Sequence, residues 1–133
     1  MAKIFSLSEA SSIAIHAMVL VAKSEGLTNV SKIAEITKTS RHHVAKVMQR
    51  LAKDGLITSS RGPSGGFMLK KGSEQISFLN IYEAIEGKVE IAHCLFQAPV
   101  CPLDRCIMNN ITAKISKEFI DFLESQTLNL YLK

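Results

Sequence analysis

The sequence predicts a mainly α-helical fold with one two-stranded β-hairpin and a long C-terminal helix. Three observations carry that prediction. Residues 30–53 hold two short amphipathic segments separated by a polar break. Residues 56–71 put a Gly/Ser-rich tip between two short apolar runs. Residues 106–131 repeat apolar side chains at intervals of three and four. Helix, turn, helix and hairpin in that order make a winged helix-turn-helix with a β wing.

Length and composition fit one ordinary globular domain, or one domain with an appendage: 133 residues, 47% of them hydrophobic. No apolar run is long enough for a transmembrane helix, and the start of the chain lacks the pattern of a signal peptide, so the expected location is the cytoplasm. The net charge of +4 is unevenly spread. Through Glu74 there are eleven Lys/Arg against five Asp/Glu, and beyond it five against seven. The first half is the half suited to a polyanion.

Residues 10–25 read as a helix, with Ile13, Ala14, Ala17, Met18, Leu20 and Val21 forming a buried stripe and Gly26 ending it. His16 reads as a partly exposed helix residue rather than a ligand. Ser31 is a candidate cap for a second helix whose Ile33, Ala34 and Thr37 face inward. Ser40 starts a third, in which Val44, Val47, Met48 and Leu51 share one face and Gly55 follows the end. That spacing leaves Arg41, His42, His43, Lys46 and Arg50 outward. A compact helix with a basic free face suits the DNA major groove, and a helix N-terminus at Ser40 adds a favourable dipole for phosphate. His42 and His43 point about 100° apart on a helix, so they are no natural metal clamp.

After Leu56 and Ile57, TSSRGPSGGFML reads as strand, tip, strand. Gly62, Gly65 and Gly66 permit positive φ, and Pro63 fixes one turn residue. Arg61 stands at the tip and Lys70 at the exit. Behind a basic helix, this hairpin is a wing that carries Arg61 toward the minor groove. The candidate DNA-contacting set is therefore Ser40, Arg41, His42, His43, Lys46, Arg50, Arg61 and Lys70.

Residues 77–86 read as a fourth helix, capped by Ser77 and ended by Gly87, after which Val89 to Val100 loses all periodicity. Pro102 suits the first turn of a last helix. In it Ile107, Ile111, Ile115, Phe119 and Phe122 recur at helical spacing, with Ile120 and Leu123 widening the stripe. About 25 residues at 1.5 Å each make a helix near 38 Å, too long for a domain this small to cover. The stripe asks for a partner, most economically the same helix of a second copy. A twofold dimer would set two reading helices on successive turns of a palindromic site.

Cys94, Cys101 and Cys106 are spaced C-x6-C-x4-C in the non-periodic loop and the start of that helix. An odd count in one window is no disulfide framework. Clustered thiols suit zinc or an iron–sulfur cluster, but a dithiol switch or three unliganded thiols fit the spacing too. For a fourth ligand, His93, Asp104, Glu9 and Ser12 are the candidates.

With these residues in place, the chain resembles the Rrf-two family of winged-helix repressors, which includes nitric-oxide, iron–sulfur-assembly and cysteine-metabolism regulators. The resemblance spans nearly the full length. It rests on IAIHAMVLVA, SKIAEITKTSRHHVAKVMQRLAKDGLI, the wing SSRGPSGGFMLKK, NIYEAIEG, and CLFQAPVCPLDRC before a long helix. It implies a homodimer on promoter DNA, and a [2Fe–2S] or [4Fe–4S] cluster held by Cys94, Cys101 and Cys106, which match the cysteine positions of the sensing members. Two departures restrict the branch. A histidine ligand of the iron–sulfur-assembly branch is replaced by Asn109. Where a nitric-oxide-sensing branch has an N-terminal carboxylate, Ser12 aligns, with Glu9 nearby but out of step.

The expected organisation is a DNA-binding unit at 1–87, a sensor loop at 88–105 and a dimerisation helix at 106–133. The expected function is a homodimeric repressor whose DNA affinity depends on a cysteine-ligated iron–sulfur cluster. One alternative is a cluster-free regulator acting through thiols or a metabolite. The other is a structural or interaction protein whose basic wing is incidental. No phosphate loop, carboxylate pair or nucleophile–base arrangement supports an enzyme.

Overall fold

A computed structural model of the chain describes residues 2–91, 94 and 101–133. Helices α1 (Glu9–Lys23), α2 (Val30–Thr37) and α3 (Arg41–Lys53) precede strands β1 (Ile57–Ser60) and β2 (Gly66–Leu69). Helices α4 (Phe78–Glu86) and α5 (Ile111–Ser125) follow, and a short 3-10 turn, Leu128–Tyr131, comes after α5. This is the expected mainly α fold with a two-stranded wing and a C-terminal helix.

Ser8 starts α1, its hydroxyl accepting the Ser11 N–H at 3.0 Å. Ile13, Ala14, Ala17, Met18 and Val21 are buried as the periodicity predicts, whereas Leu20 is only half-buried. The helix stops at Ser24, before Gly26. The cap of α2 is Asn29 rather than Ser31: its side chain accepts the Lys32 N–H at 2.8 Å. The cause is tertiary. Thr28 is tied to Phe67 by two backbone hydrogen bonds of 3.0 and 2.8 Å, which leaves Asn29 extended and ready to cap two residues earlier.

Lys38 turns the chain in the left-handed region, and Ser40 caps α3 by accepting the His43 N–H at 3.1 Å. Val44, Val47, Met48 and Leu51 are all buried. Gly55, at φ 81°, reverses the chain into β1. The strands pair antiparallel from Ile57↔Leu69 to Ser60↔Gly66. A Cβ on Gly65 would lie 2.2 Å from the Ser60 carbonyl, so the tip admits only glycine there. Ser77 and Asn80 close a reciprocal capping box at the start of α4.

The last helix is shorter than the periodicity predicts. Asn109 and Asn110 take φ of 51° and 57°, a conformation that asparagine tolerates better than most residues. They delay the helix to Ile111. At its other end the chain becomes extended: Phe78 N–H donates to the Gln126 carbonyl at 2.8 Å and Leu128 N–H to the Ile76 carbonyl at 3.1 Å. Leu128 therefore reaches the core from a turn, fully buried, and not from a continuing helix. The expected single helix of about 25 residues is 15 residues long, about 22 Å.

Candidate nucleic-acid interface and cysteine segment

Helix α3 offers a surface of one charge sign. Arg41, His42, Lys46 and Arg50 are exposed, and no acidic residue occurs in the helix. Ser40 stands at its N-terminus, where the helix dipole favours an anion. In the wing Arg61 and Lys70 are exposed as well. Lys32 and Lys38, exposed on and just after α2, extend the basic surface. They carry no motif of their own, and only their position beside α3 draws attention to them.

His43 behaves differently. Its ring is half-buried, and its Nδ1 lies 3.3 Å from the Glu9 carboxylate at the start of α1. The ring is thus aimed at α1, and the contact is too distant in sequence for periodicity to expose.

A second polar cluster lies nearby. Ser8 and Ser11 both donate their hydroxyl protons to the same oxygen of Glu86, at 2.5 and 2.6 Å. The hydrogen bonds from Ser11 and then Ser8 hold the Glu86 carboxyl below the usual carboxylate range, against the opposing effect of burial, and the Arg50 charge adds to the lowering. Burial, and then the negative charge of Glu86, push the Tyr82 hydroxyl upward. Glu86 thereby joins the ends of α1 and α4 beside α3. Nothing in the sequence marks it.

Cys94, Cys101 and Cys106 are all exposed, and the Cys106 sulfur accepts the Asn110 N–H at 3.4 Å. Among the described residues no three His, Cys, Asp or Glu side chains converge on a metal-sized site. The thiols fit a soft metal or cluster in donor type but not in placement. Asp104 is exposed, Ser12 is half-buried on α1, and Glu9 faces His43. His93, and most of the stretch without periodicity, lie outside the described residues.

Helix α5 divides its wide apolar stripe between two sides. Phe119 packs edge-on against Phe5 and Tyr82, with ring centroids at 5.0 and 5.6 Å, and Leu123 is buried. On the other side Ile111, Ile115 and Phe122 are 39%, 47% and 52% exposed, and Ile107, just before the helix, is 77% exposed. At 100° per residue the three helical positions fall within about 40° of one another.

The family model described as "Iron-dependent Transcriptional regulator", Rrf2, matches residues 7–132. The chain belongs to the Rrf2 family. The transcriptional regulator IscR of Pectobacterium atrosepticum is 30% identical over 118 residues, covering 87% of this chain and 72% of that protein. Among solved structures, CymR (YrzC), the global cysteine regulator of B. subtilis, superposes with a TM-score of 0.78 at 24% identity, over 97% of each chain. IscR of T. potens does so at 0.74 and 24% identity, over 95% of this chain and 85% of that one. At these identities the two structures bear on the fold. As an Rrf2 protein the chain is a DNA-binding transcriptional regulator and not an enzyme. Among the described residues no helix is long and apolar enough to cross a membrane.

Proposed function

We propose that this Rrf2 protein is a homodimeric repressor that acts on promoter DNA in the cytoplasm, reading a twofold site and responding through its three cysteines. The observation that carries the reading is the free face of α3, basic along its length without an acidic residue, next to a wing tipped by Arg61. Ser40, Arg41, His42, Lys46 and Arg50 would face the major groove, Arg61 the adjacent minor groove, and Lys70 a phosphate. His43 would act through Glu9, holding α3 against α1, rather than on a base. In this reading residues 1–87 bind DNA, 88–105 sense and 106–133 dimerise.

The proposed sensing group is a [2Fe–2S] or [4Fe–4S] cluster on Cys94, Cys101 and Cys106. The donor chemistry, and the family description naming iron, support it. The sulfurs of the single chain, which do not converge among the described residues, do not. What the chain's own residues supply is leverage. Cys106 directly precedes the turn from which α5 starts, so a change of state at the thiols shifts the root of the helix whose outer stripe faces a second copy. Because duplex DNA fixes the spacing of the two half-sites, a small reorientation of the two α3 helices weakens binding.

The exposure of all three thiols also supports a second reading, a cluster-free regulator switched by thiol oxidation. Anaerobic preparation with iron and sulfide counts separates the two. The cluster reading expects iron and sulfide in the native protein and their loss in Cys101→Ala. Full iron and sulfide in that variant would contradict the ligand assignment. For the DNA reading, selection from a pool of random duplexes should return a twofold-symmetric site.

A further inference from the structure

Helix α3 carries its arginines and its single amide on different lines. At about 100° per residue, Val44, Val47, Met48 and Leu51 centre on one direction, the buried one. Arg41 stands about 70° from that direction on one side and Arg50 about 110° on the other, and both are exposed. Opposite the core, within about 30° of the outermost line, run His42, Lys46, Gln49 and Lys53, all exposed. From His42 to Gln49 is about 10.5 Å along the axis, or roughly three base pairs at about 3.4 Å each. The Gln49 carboxamide has no hydrogen-bond partner among the described residues, whereas that of Gln126 is tied to Ser125 and Tyr131.

We propose that Gln49 is a specificity-determining residue of this regulator, its carboxamide reading one adenine on the floor of the major groove in each half-site. The inference rests on the DNA reading above and deepens it. Two arguments select Gln49 from the outer line. The first is chemical. A carboxamide sets a donor beside an acceptor, and in the major groove adenine alone answers with an acceptor, N7, beside a donor, the N6 amino group. Guanine offers two acceptors there. Lys46 and Lys53 bring donors only, which phosphate oxygens satisfy as well as bases do, and the His42 ring turns one nitrogen at a time toward a base edge. The second is placement. Arg41 and Arg50, on opposite flanks of α3, stand toward the phosphates of the two groove walls, which leaves the outer line over the base edges.

Desolvation enforces the choice. Docking strips water from the exposed carboxamide, and facing adenine both of its groups are paired again. Facing guanine, its carbonyl oxygen meets a second acceptor and stays unsatisfied, which is the costly case. Because Gln49 carries no charge, it adds to the choice of site and not to the salt-dependent grip, which the surrounding lysines and arginines supply. The outer line of α3 thus divides its work: cations hold the duplex, and the one amide selects the sequence.

The test uses the full chain and a duplex that the wild-type protein selects from a random pool. Wild type is expected to require an A·T pair at one position of each half-site, and exchanging that pair for G·C should weaken binding by about tenfold or more. In Gln49→Ala the same exchange should cost less than about threefold, while affinity for unselected duplex and the salt slope stay as in wild type. Replacing that adenine by 7-deazaadenine, which lacks the N7 acceptor, should weaken wild type and leave Gln49→Ala unaffected. A Gln49→Ala protein that keeps every base preference of wild type would overturn the proposal, and so would a preference lost only at a G·C pair. Either result leaves the DNA reading standing. Wild-type protein that binds no duplex in preference to another removes the reading itself, and Gln49 with it.

Discussion

The two ends of the molecule use the same alphabet of apolar periodicity to different ends. In α3 the stripe Val44, Val47, Met48 and Leu51 is wholly buried, and the opposite face is basic and exposed. In α5 the stripe is split: Phe119 and Leu123 turn inward, while Ile111, Ile115 and Phe122 stay in the open. Every residue from 101 to 111 is exposed as well. The first region is completed by its own chain. The second is incomplete as a single chain, since exposed apolar side chains at regular spacing are worth burying and this subunit does not bury them. The two ends therefore differ in what finishes them.

That contrast breaks first at Leu128, which links the two regions by reaching the winged core from the turn behind α5. Leu128→Ala is expected to destabilise the whole protein by about 2–5 kcal/mol, as a fully buried leucine does when a cavity replaces it. Urea unfolding measures it, and a loss under about 1 kcal/mol would make the C-terminal turn an ornament.

At the reading end, Arg41→Ala and Arg61→Ala should each weaken duplex binding by about tenfold to a hundredfold without loss of stability. Fluorescence anisotropy on a selected duplex decides this, and unchanged affinity in both would remove α3 and the wing from the interface.

A smaller effect sharpens the link between α1 and α4. Because the Glu86 carboxyl is held below its ordinary value, it contributes stability above that value and loses it as pH falls through the lowered one. Wild type should exceed Glu86→Gln in urea midpoint at neutral pH, and the two should converge as pH drops below about 4. A gap that persists unchanged in acid assigns the effect to shape rather than charge.

The smallest expected effect is at Thr28, whose hydroxyl is buried without a hydrogen-bond partner among the described residues. Thr28→Val removes that orphaned group at constant shape and should be neutral, or stabilising by about 1 kcal/mol, by the same unfolding measurement.

How far the sequence could be read follows the same division. Ser40, the buried face of α3, the hairpin and Ser77 were legible because their partners lie within a few residues. The cap of α2 was not, because Asn29 is chosen by the pairing of Thr28 with Phe67, nearly forty residues away. Helix α5 is shorter than its periodicity for a related reason. Periodicity identifies an apolar face and is blind to where asparagines turn left-handed, or where a backbone bridge such as Ser77 to Thr127 takes over. The basic set on the free face of α3 and on the wing was visible as residue types in order. The aim of His43 at Glu9, and the two serine hydroxyls on Glu86, depend on contacts between distant helices and left no sequence trace. For the cysteines the spacing indicated soft-ligand chemistry, while convergence is a matter of placement that a single described chain does not supply.

The central claim is that a basic reading face, presented twice by a dimer, grips duplex DNA. Its most direct test is the salt dependence of binding by the full chain to a duplex carrying a selected site, with the mass of the complex measured alongside. The prediction is two chains per site and a logarithmic affinity that falls linearly and steeply with logarithmic salt concentration, by about 0.9 for each phosphate neutralised. A shallow slope, or one chain per duplex at saturation, would contradict it.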